Sequence, residues 1–200
     1  MTIKKISVFC GAHMGKSPAY KAAAKDLGAL LASKGLEVIF GGGNVGLMRV
    51  VSDTTIAHGG KVTGIALKSL DVFELTNPNI TETIITHSLF ERKEKFLSIS
   101  DAFIVMPGGV GSMDELLEVM VSNHLGEINK PIGILNINGY YDSFIDWLQH
   151  AVDEQFVSAE NQQRVLISSD PAELLEMILI AEMPDPDSWF ERLNTDSTPS

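Results

Sequence analysis

The sequence predicts an α/β protein with a single doubly wound, Rossmann-like domain, in which a mainly parallel sheet is flanked by helices. Short apolar runs rich in Val, Ile and Phe alternate with longer amphipathic stretches, which is the pattern of βα units that feed a parallel sheet. The 200 residues suffice for one well-buried α/β domain but not for two ordinary ones. We expect that domain over residues 1–183, followed by a polar, proline-containing tail over residues 184–200.

Six strands are predicted from the apolar runs, and each run is short and bounded by polar or turn-forming residues. In chain order the predicted strands are residues 3–9, 37–40, 61–67, 83–86, 102–106 and 131–136. In a doubly wound sheet, ligands bind at the carboxyl ends of the strands. The segments that directly follow these runs are therefore the first places to search for a functional site.

The helices are predicted from apolar residues at helical spacing together with start and stop signals. The first has Ser17 as a plausible N-cap, Pro18 at the first helical position and Gly35 as the stop. The predicted helical stretches are residues 16–35, 45–60, 88–100, 112–126, 140–156 and 170–182, the last with Asp170 at the cap. We find no internal repeat.

Charge and composition exclude several classes of function. A formal net charge of -11 and a pI near 4.8 argue against a nucleic-acid partner held by phosphate contacts, because such binding needs a basic face. No stretch approaches the roughly 20 apolar residues of a membrane span, and the apolar start of the chain is too short for a signal peptide. Cys10 is the only cysteine, so no internal disulfide can form. We expect a soluble, cytoplasmic protein with no membrane partner.

The first glycine loop, residues 41–46, follows the second predicted strand. Gly41, Gly43 and Gly46 stand in the G-x-G-x-x-G register of dinucleotide-binding proteins. That fingerprint normally follows the first strand and has an acidic residue about 20 positions later, which this sequence does not match well. The loop more readily indicates close approach of the backbone to a phosphate or a neighbouring strand than an NAD-dependent oxidoreductase. A tight turn that needs positive φ is an equally good explanation.

The second glycine loop, residues 107–112, follows the fifth predicted strand. Gly108, Gly109 and Gly111 leave backbone N–H groups uncovered, and a helix that begins after Ser112 would point its positive end at the same place. An anion such as a phosphate monoester would fit there. On spacing alone, however, Ser112 and Glu115 form an S-x-x-E capping box, and we favour that structural role at this point.

A cluster of mixed charge, "ERKEK", precedes the strand of the second loop. Such a cluster is usually a solvated helix face. Arg92 and Lys93 differ from the rest only if their helix faces the second glycine loop, where a guanidinium could hold a phosphate. His87 and His124 lack the spacing of metal ligands, so no metal site is predicted.

Three segments taken together, "GGGNVGLM", "ERK" and "PGGVGSMDE", resemble the LOG family of phosphoribohydrolases. These enzymes release the free base from cytokinin riboside 5′-monophosphates and, in many bacterial members, from AMP; they have often been labelled lysine decarboxylases. The resemblance runs from about residue 8 to residue 179 and includes "VFCG", "KPIGILN" and "NGYYD". Actual lysine decarboxylation has no supporting feature in the sequence, because no lysine lies in a recognisable pyridoxal phosphate setting.

The resemblance implies a set of roles. Arg92 and Glu115 inherit the catalytic roles of the family, which reopens the capping-box interpretation of Glu115. The implied substrate-binding residues are Glu74, Lys93, Gly42, Gly43, Gly108, Gly109, Val110, Gly111 and Ser112. The implied substrate is a nucleoside 5′-monophosphate, no cofactor is required, and the protein is expected to be a homodimer. The alternative function is a non-catalytic nucleotide or cofactor carrier of the same fold, similar to the molybdenum cofactor carrier proteins.

Overall fold

A seven-stranded sheet forms the centre of the fold in this computed structural model, which describes residues 2–71 and 77–183. The strand order is β4-β3-β2-β1-β5-β6-β7, and every neighbouring pair is parallel. The strands are β1 Lys5–Phe9, β2 Glu37–Phe40, β3 Val62–Leu67, β4 Glu82–Thr86, β5 Ala102–Val105, β6 Ile132–Leu135 and β7 Val165–Ser168. The fold class predicted from the sequence is confirmed, and its sheet is parallel throughout.

Helices connect the strands and cover both faces of the sheet. They are α1 Pro18–Ser33, α2 Gly46–Ala57, α3 Lys68–Asp71, α4 Leu89–Ile99, α5 Val110–His124, α6 Asp142–Asp153, α7 Ala159–Gln163 and α8 Pro171–Ile180, with a 3-10 turn at Ile137–Gly139. Ser17 caps α1 by accepting the Ala19 N–H at 3.3 Å. Asp170 caps α8, and Gly35 has φ +68° just beyond the end of α1, so these predicted boundary signals are confirmed.

Alternation along the strands divides the buried residues between two cores. Along β1, Ile6 and Val8 point to the face covered by α1, α2 and α8, whereas Phe9 points to the face covered by α4, α5 and α6. On that second face Phe9 packs edge-on against Phe96 and stacks with Phe103. Both faces of the sheet are therefore buried, as expected of a parallel sheet.

The structure differs from the prediction in several elements, among them the short helices α3 and α7, which the sequence patterns do not indicate. The seventh strand, β7, was not predicted; it pairs with β6 at the edge of the sheet. Helix α5 begins at Val110 instead of after Ser112, with Gly109 as an N-cap that makes no side-chain hydrogen bond. The capping box is therefore wrong, because Ser112 is the third residue of the helix and does not stand at its cap.

The strand order defines where a ligand can bind. The chain builds the sheet outward from β1 through β2, β3 and β4, and then returns to place β5 on the other side of β1. The loops after β1 and β5 thus diverge to opposite faces and leave a crevice at the carboxyl ends of these strands. None of the helices within residues 2–71 and 77–183 is long and apolar enough to cross a bilayer. The predicted tail lies outside the described residues.

Candidate active site

A cavity of 430 Å³ occupies the crevice between β1 and β5. Its walls come from the loop after β1, the start of α2, the second glycine loop and the start of α5. Arg92, Glu115, Tyr20 and Tyr140 also line it. The cavity therefore collects residues from six separate parts of the chain at the place where the strand order predicts a ligand.

The second glycine loop forms the floor of this cavity. A Cβ atom added at Gly108 would overlap Ser112 Oγ, so the fold itself requires glycine there. At Gly109 and Gly111 an added Cβ would meet no atom within 4 Å. Because α5 begins at Val110, the N–H groups of Val110, Gly111 and Ser112 have no partner within the helix. The positive end of α5 thus lies at the cavity wall and suits an anion.

Arg92 and Glu115 form an ion pair at the wall of this cavity. Arg92 Nη1 donates to Glu115 Oε1 at 2.8 Å, and Arg92 Nε donates to the Ile65 carbonyl at 3.0 Å. The guanidinium also lies 4.9 Å from the centre of the Phe96 ring. The side chains of Arg92 and Glu115 are 17% and 12% exposed, so both groups are held in place and still reach the cavity.

The electrostatics of Glu115 reflect two opposing influences. Burial raises the pKa of its carboxyl group, the positive charge of Arg92 works in the opposite direction, and the net result is a pKa above the ordinary value of 4.5. Burial, followed by the nearby Glu115 charge, raises the pKa of the Cys10 thiol far above its usual range. The thiol is therefore neutral near neutral pH.

The first glycine loop lines a second cavity of 210 Å³. Gly42 and Gly43 lie on its wall together with apolar side chains of Val45, Leu67 and Leu89. Ala12, Met48 and Arg92 line both cavities, so the two spaces adjoin at Arg92. The wall of the second cavity is largely apolar, which suits a flat, weakly polar group such as a nucleobase.

Three of the substrate-binding residues suggested by the resemblance are not among the described residues that line these cavities. Lys93 Nζ lies 2.8 Å from Glu118 Oε2 and 3.4 Å from Asp114 Oδ1, so it links α4 to α5 and lines neither cavity. Glu74 lies outside the described residues. Val110, the first residue of α5, also lines neither cavity. The remaining predicted residues are divided between the two cavities: the larger one is lined by Arg92, Glu115, Gly108, Gly109, Gly111 and Ser112, and the smaller one by Gly42 and Gly43, with Arg92 shared.

Among the side chains of the larger cavity that sequence reasoning missed are Cys10, Tyr20, Met48 and Tyr140. Tyr140 belongs to the segment "NGYYD", which supported the resemblance but received no role. Two adjacent tyrosines soon after a buried strand could have indicated a site residue, because ligands bind beyond the carboxyl ends of the strands. Within the described part of the chain, no group of three or more His, Cys, Asp or Glu residues is placed to hold a metal ion.

Solved structures with the same fold include two proteins that handle the molybdenum cofactor. The molybdenum cofactor binding protein of Rippkaea orientalis is 23% identical, with a TM-score of 0.65 over 89% of this chain and 96% of that one. The molybdenum cofactor carrier protein of Chlamydomonas reinhardtii is 17% identical, with a TM-score of 0.67 over 90% of this chain and 99% of that one. At these identities the likeness establishes the fold alone.

Sequence relatives are closer. A cytokinin riboside 5′-monophosphate phosphoribohydrolase of Arabidopsis thaliana is 37% identical over 98% of this chain and 91% of its own length. An enzyme of the same description from Oryza sativa subsp. japonica is 38% identical over 91% of this chain and 75% of its own length. The family model described as "possible lysine decarboxylase" matches residues 48–178. The chain therefore belongs to this family, the LOG family.

Proposed function

We propose that the protein is a hydrolase that cleaves the N-glycosidic bond of a nucleoside 5′-monophosphate to give the free base and ribose 5-phosphate. The substrates we propose are AMP, a cytokinin riboside 5′-monophosphate, or both. The observation that carries the proposal is the partly buried Arg92–Glu115 ion pair beside the N–H groups of α5 that have no partner within the helix, in the same cavity. Relatives named as phosphoribohydrolases, 37–38% identical over most of the chain, support it.

The 5′-phosphate is assigned to the second glycine loop. Three helix N–H groups and the positive end of α5 would bind its oxygens, and the open space at Gly109 and Gly111 lets the phosphate approach the backbone closely. Ser112 adds a hydroxyl at the same place. This arrangement favours a monophosphate over the free nucleoside, because a nucleoside offers the loop no negative charge.

The reaction is assigned to Glu115 and Arg92. As the bond from C1′ to the base nitrogen breaks, its electron pair leaves with the base and positive charge develops on the ribose. The Glu115 carboxylate stabilises that charge and orients the water whose oxygen forms the new bond to C1′. The proton that this water loses balances the proton that the departing base nitrogen takes up. Arg92 lines both cavities, so a base in the second cavity would leave beside the guanidinium.

Glu115→Gln tests this assignment. We expect at least about a hundredfold loss of base release, since a single group that stabilises transition-state charge is typically worth that much, while AMP still binds. Base and ribose 5-phosphate are measured by chromatography after incubation with AMP or with isopentenyladenosine monophosphate. Glu118→Gln is the matched control, because Glu118 lies on the same helix but pairs with Lys93 and lines neither cavity.

The outcomes separate the two candidate functions. Base release by the wild type and by Glu118→Gln, but not by Glu115→Gln, supports the hydrolase. Binding of AMP without release by the wild type would favour the alternative, a non-catalytic nucleotide or cofactor carrier. Equal turnover in Glu115→Gln and the wild type would remove the proposed mechanism.

We also propose that the protein is a homodimer. The outer face of α5 and α6 exposes large apolar side chains, namely Leu117, Val121, Leu125 and Trp147, with Phe156 just beyond α6. A run of such side chains on adjoining helices is typical of an interface. Val121→Glu is expected to shift the protein to a monomer in sedimentation velocity experiments. A wild-type protein that sediments as a monomer would overturn the proposal.

A further inference from the structure

The backbone carbonyl groups of the second glycine loop and of the residue before it are all engaged by donors. Four successive carbonyls are involved: Met106 accepts from the Tyr141 hydroxyl at 2.8 Å, Pro107 from the Gly11 N–H at 3.1 Å, Gly108 from the Tyr140 hydroxyl, and Gly109 from the Met113 N–H at 3.1 Å. The next three residues, 110–112, present N–H groups that have no partner within α5. The acceptors of this segment are therefore occupied while its donors stay available.

This separation matters for an anion. A carbonyl oxygen that faced the cavity would repel a phosphate oxygen, whereas an N–H group would bind it. Two of the four carbonyls are held by side chains instead of backbone, and both side chains are tyrosines from the segment after β6. Tyr141 is buried, and Tyr140 is about half exposed at the cavity wall.

The segment that carries these tyrosines is itself fixed. The Asn136 side chain accepts the Tyr141 N–H at 2.8 Å and donates to Asp142 at 2.7 Å. Asn138, with φ +54°, donates from its amide to Ser17 Oγ at 3.0 Å, which ties the segment to the start of α1. The tyrosine hydroxyls thus come from a turn that is also held by contacts outside the glycine loop.

The two rings brace each other as well as the loop. The rings of Tyr140 and Tyr141 meet edge to face with centres 4.9 Å apart, and Tyr20 of α1 meets Tyr140 at 5.9 Å in the same manner. Each ring is therefore held in place by its neighbours, and its hydroxyl group is held with it. Removing the hydroxyl leaves the ring packing in place, so that the hydrogen bond can be tested separately from the ring.

We propose that Tyr140 and Tyr141 are positioning residues that orient the second glycine loop for anion binding, by holding the Met106 and Gly108 carbonyls away from the ligand. The inference rests on the proposed function in that the anion is the 5′-phosphate of the substrate. It requires only that the loop binds a phosphate group, so it can be tested without turnover.

Tyr140→Phe and Tyr141→Phe test the proposal with inorganic phosphate as the probe. Each variant is expected to bind phosphate roughly three- to tenfold more weakly in calorimetry, the range that corresponds to one hydrogen bond. With AMP as substrate, KM should rise by a similar factor while kcat changes less than about twofold. A purely structural role would instead lower the thermal midpoint and leave phosphate affinity unchanged.

Thr55→Val is the matched control. The buried Thr55 hydroxyl lies 2.9 Å from the Val51 carbonyl and 3.3 Å from the Gly28 carbonyl, so the variant also removes a buried hydroxyl bound to carbonyls, but between α1 and α2. It should lose stability without losing phosphate affinity. If Tyr141→Phe does not fold, the half-exposed Tyr140 still provides the test. Phosphate affinities within about twofold of the wild type in the tyrosine variants would overturn the inference, even if the wild type hydrolyses AMP.

Discussion

The two glycine loops look alike in the sequence but differ in what demands their glycines. In the first loop, Gly42 and Gly46 have φ of +77° and +54°, and a Cβ at Gly46 would overlap the backbone of Ala12. In the second loop, Gly109 and Gly111 have open space around them and no positive φ. The first loop needs glycine in order to fold, whereas the second has glycines that the fold alone does not require.

A structural glycine and one that serves a ligand should respond differently to substitution. A glycine that is required by φ or by a neighbouring backbone should cost stability when it is replaced. A glycine that has free space, no positive φ and a place on the cavity wall should cost affinity instead, because the added methyl group occupies space assigned to the ligand. Gly41 connects the two cases, since a Cβ there would lie 2.6 Å from Arg92 Nη2 and so would disturb the ion pair.

The largest effect is expected for Gly46→Ala. Both the positive φ and the overlap with the Ala12 backbone oppose the substitution, so we expect a loss of more than about 3 kcal/mol in the free energy of unfolding. Urea unfolding measures it. Gly59→Ala is the control, because Gly59 has φ +77° but no atom within 4 Å of an added Cβ. It should lose only about 1–2 kcal/mol. Equal losses of unfolding free energy in the two variants would mean that the Ala12 backbone moves away from the added methyl group at little cost.

Gly111→Ala should produce the opposite combination. The residue is the second of α5, where alanine is favoured over glycine by up to about 1 kcal/mol, so stability should stay equal or increase. The methyl group would face the space assigned to the phosphate, and we expect phosphate affinity to fall about tenfold or more, or at least 1.4 kcal/mol. Urea unfolding and phosphate calorimetry on the same preparation give both values. A destabilised variant that retains its affinity would place Gly111 with the structural glycines of the first loop.

Much of the fold follows from local patterns. The strand runs and the caps at Ser17 and Asp170 depend on a few neighbouring residues, and the structure has them where the pattern indicates. Strand β7 is as short as β5 and β6, but it lies at the edge of the sheet and its two central residues are only partly buried. Its pairing with β6 stabilises it. Pairing between two strands is a long-range contact, which no local pattern in the sequence indicates.

The candidate site was less accessible to sequence reasoning because its contacts are long-range. The spacing of Ser112 and Glu115 suggested a capping box, but Glu115 instead pairs with Arg92 from a different helix. Resemblance to the LOG family, not the local pattern, brought these two residues together. The tyrosine hydroxyls reach carbonyls 32 and 35 residues away, which no local pattern encodes.

The smallest expected effect is the dependence of base release and stability on pH. It tests whether Glu115, on the helix that follows the second glycine loop, supplies the charge used in the reaction. The pKa of Glu115 is raised mainly by burial, so base release should decline with acidification at a pH above the ordinary value of 4.5. Between 4.5 and the raised value, the unfolded chain has already released this proton and the folded protein still holds it. The folded state then binds more protons, so the stability contributed by this group falls as pH rises through that window.

Glu115→Gln removes this titration. The free energy of unfolding of the wild type should therefore fall, relative to that of the variant, as pH rises through the window, and urea unfolding at a series of pH values measures the difference. Parallel curves for the two proteins would mean that Glu115 titrates as an ordinary exposed carboxylate does. Any decline of base release on acidification would then have to come from the titration of another group. The difference between the two loops would in that case rest on their glycines alone.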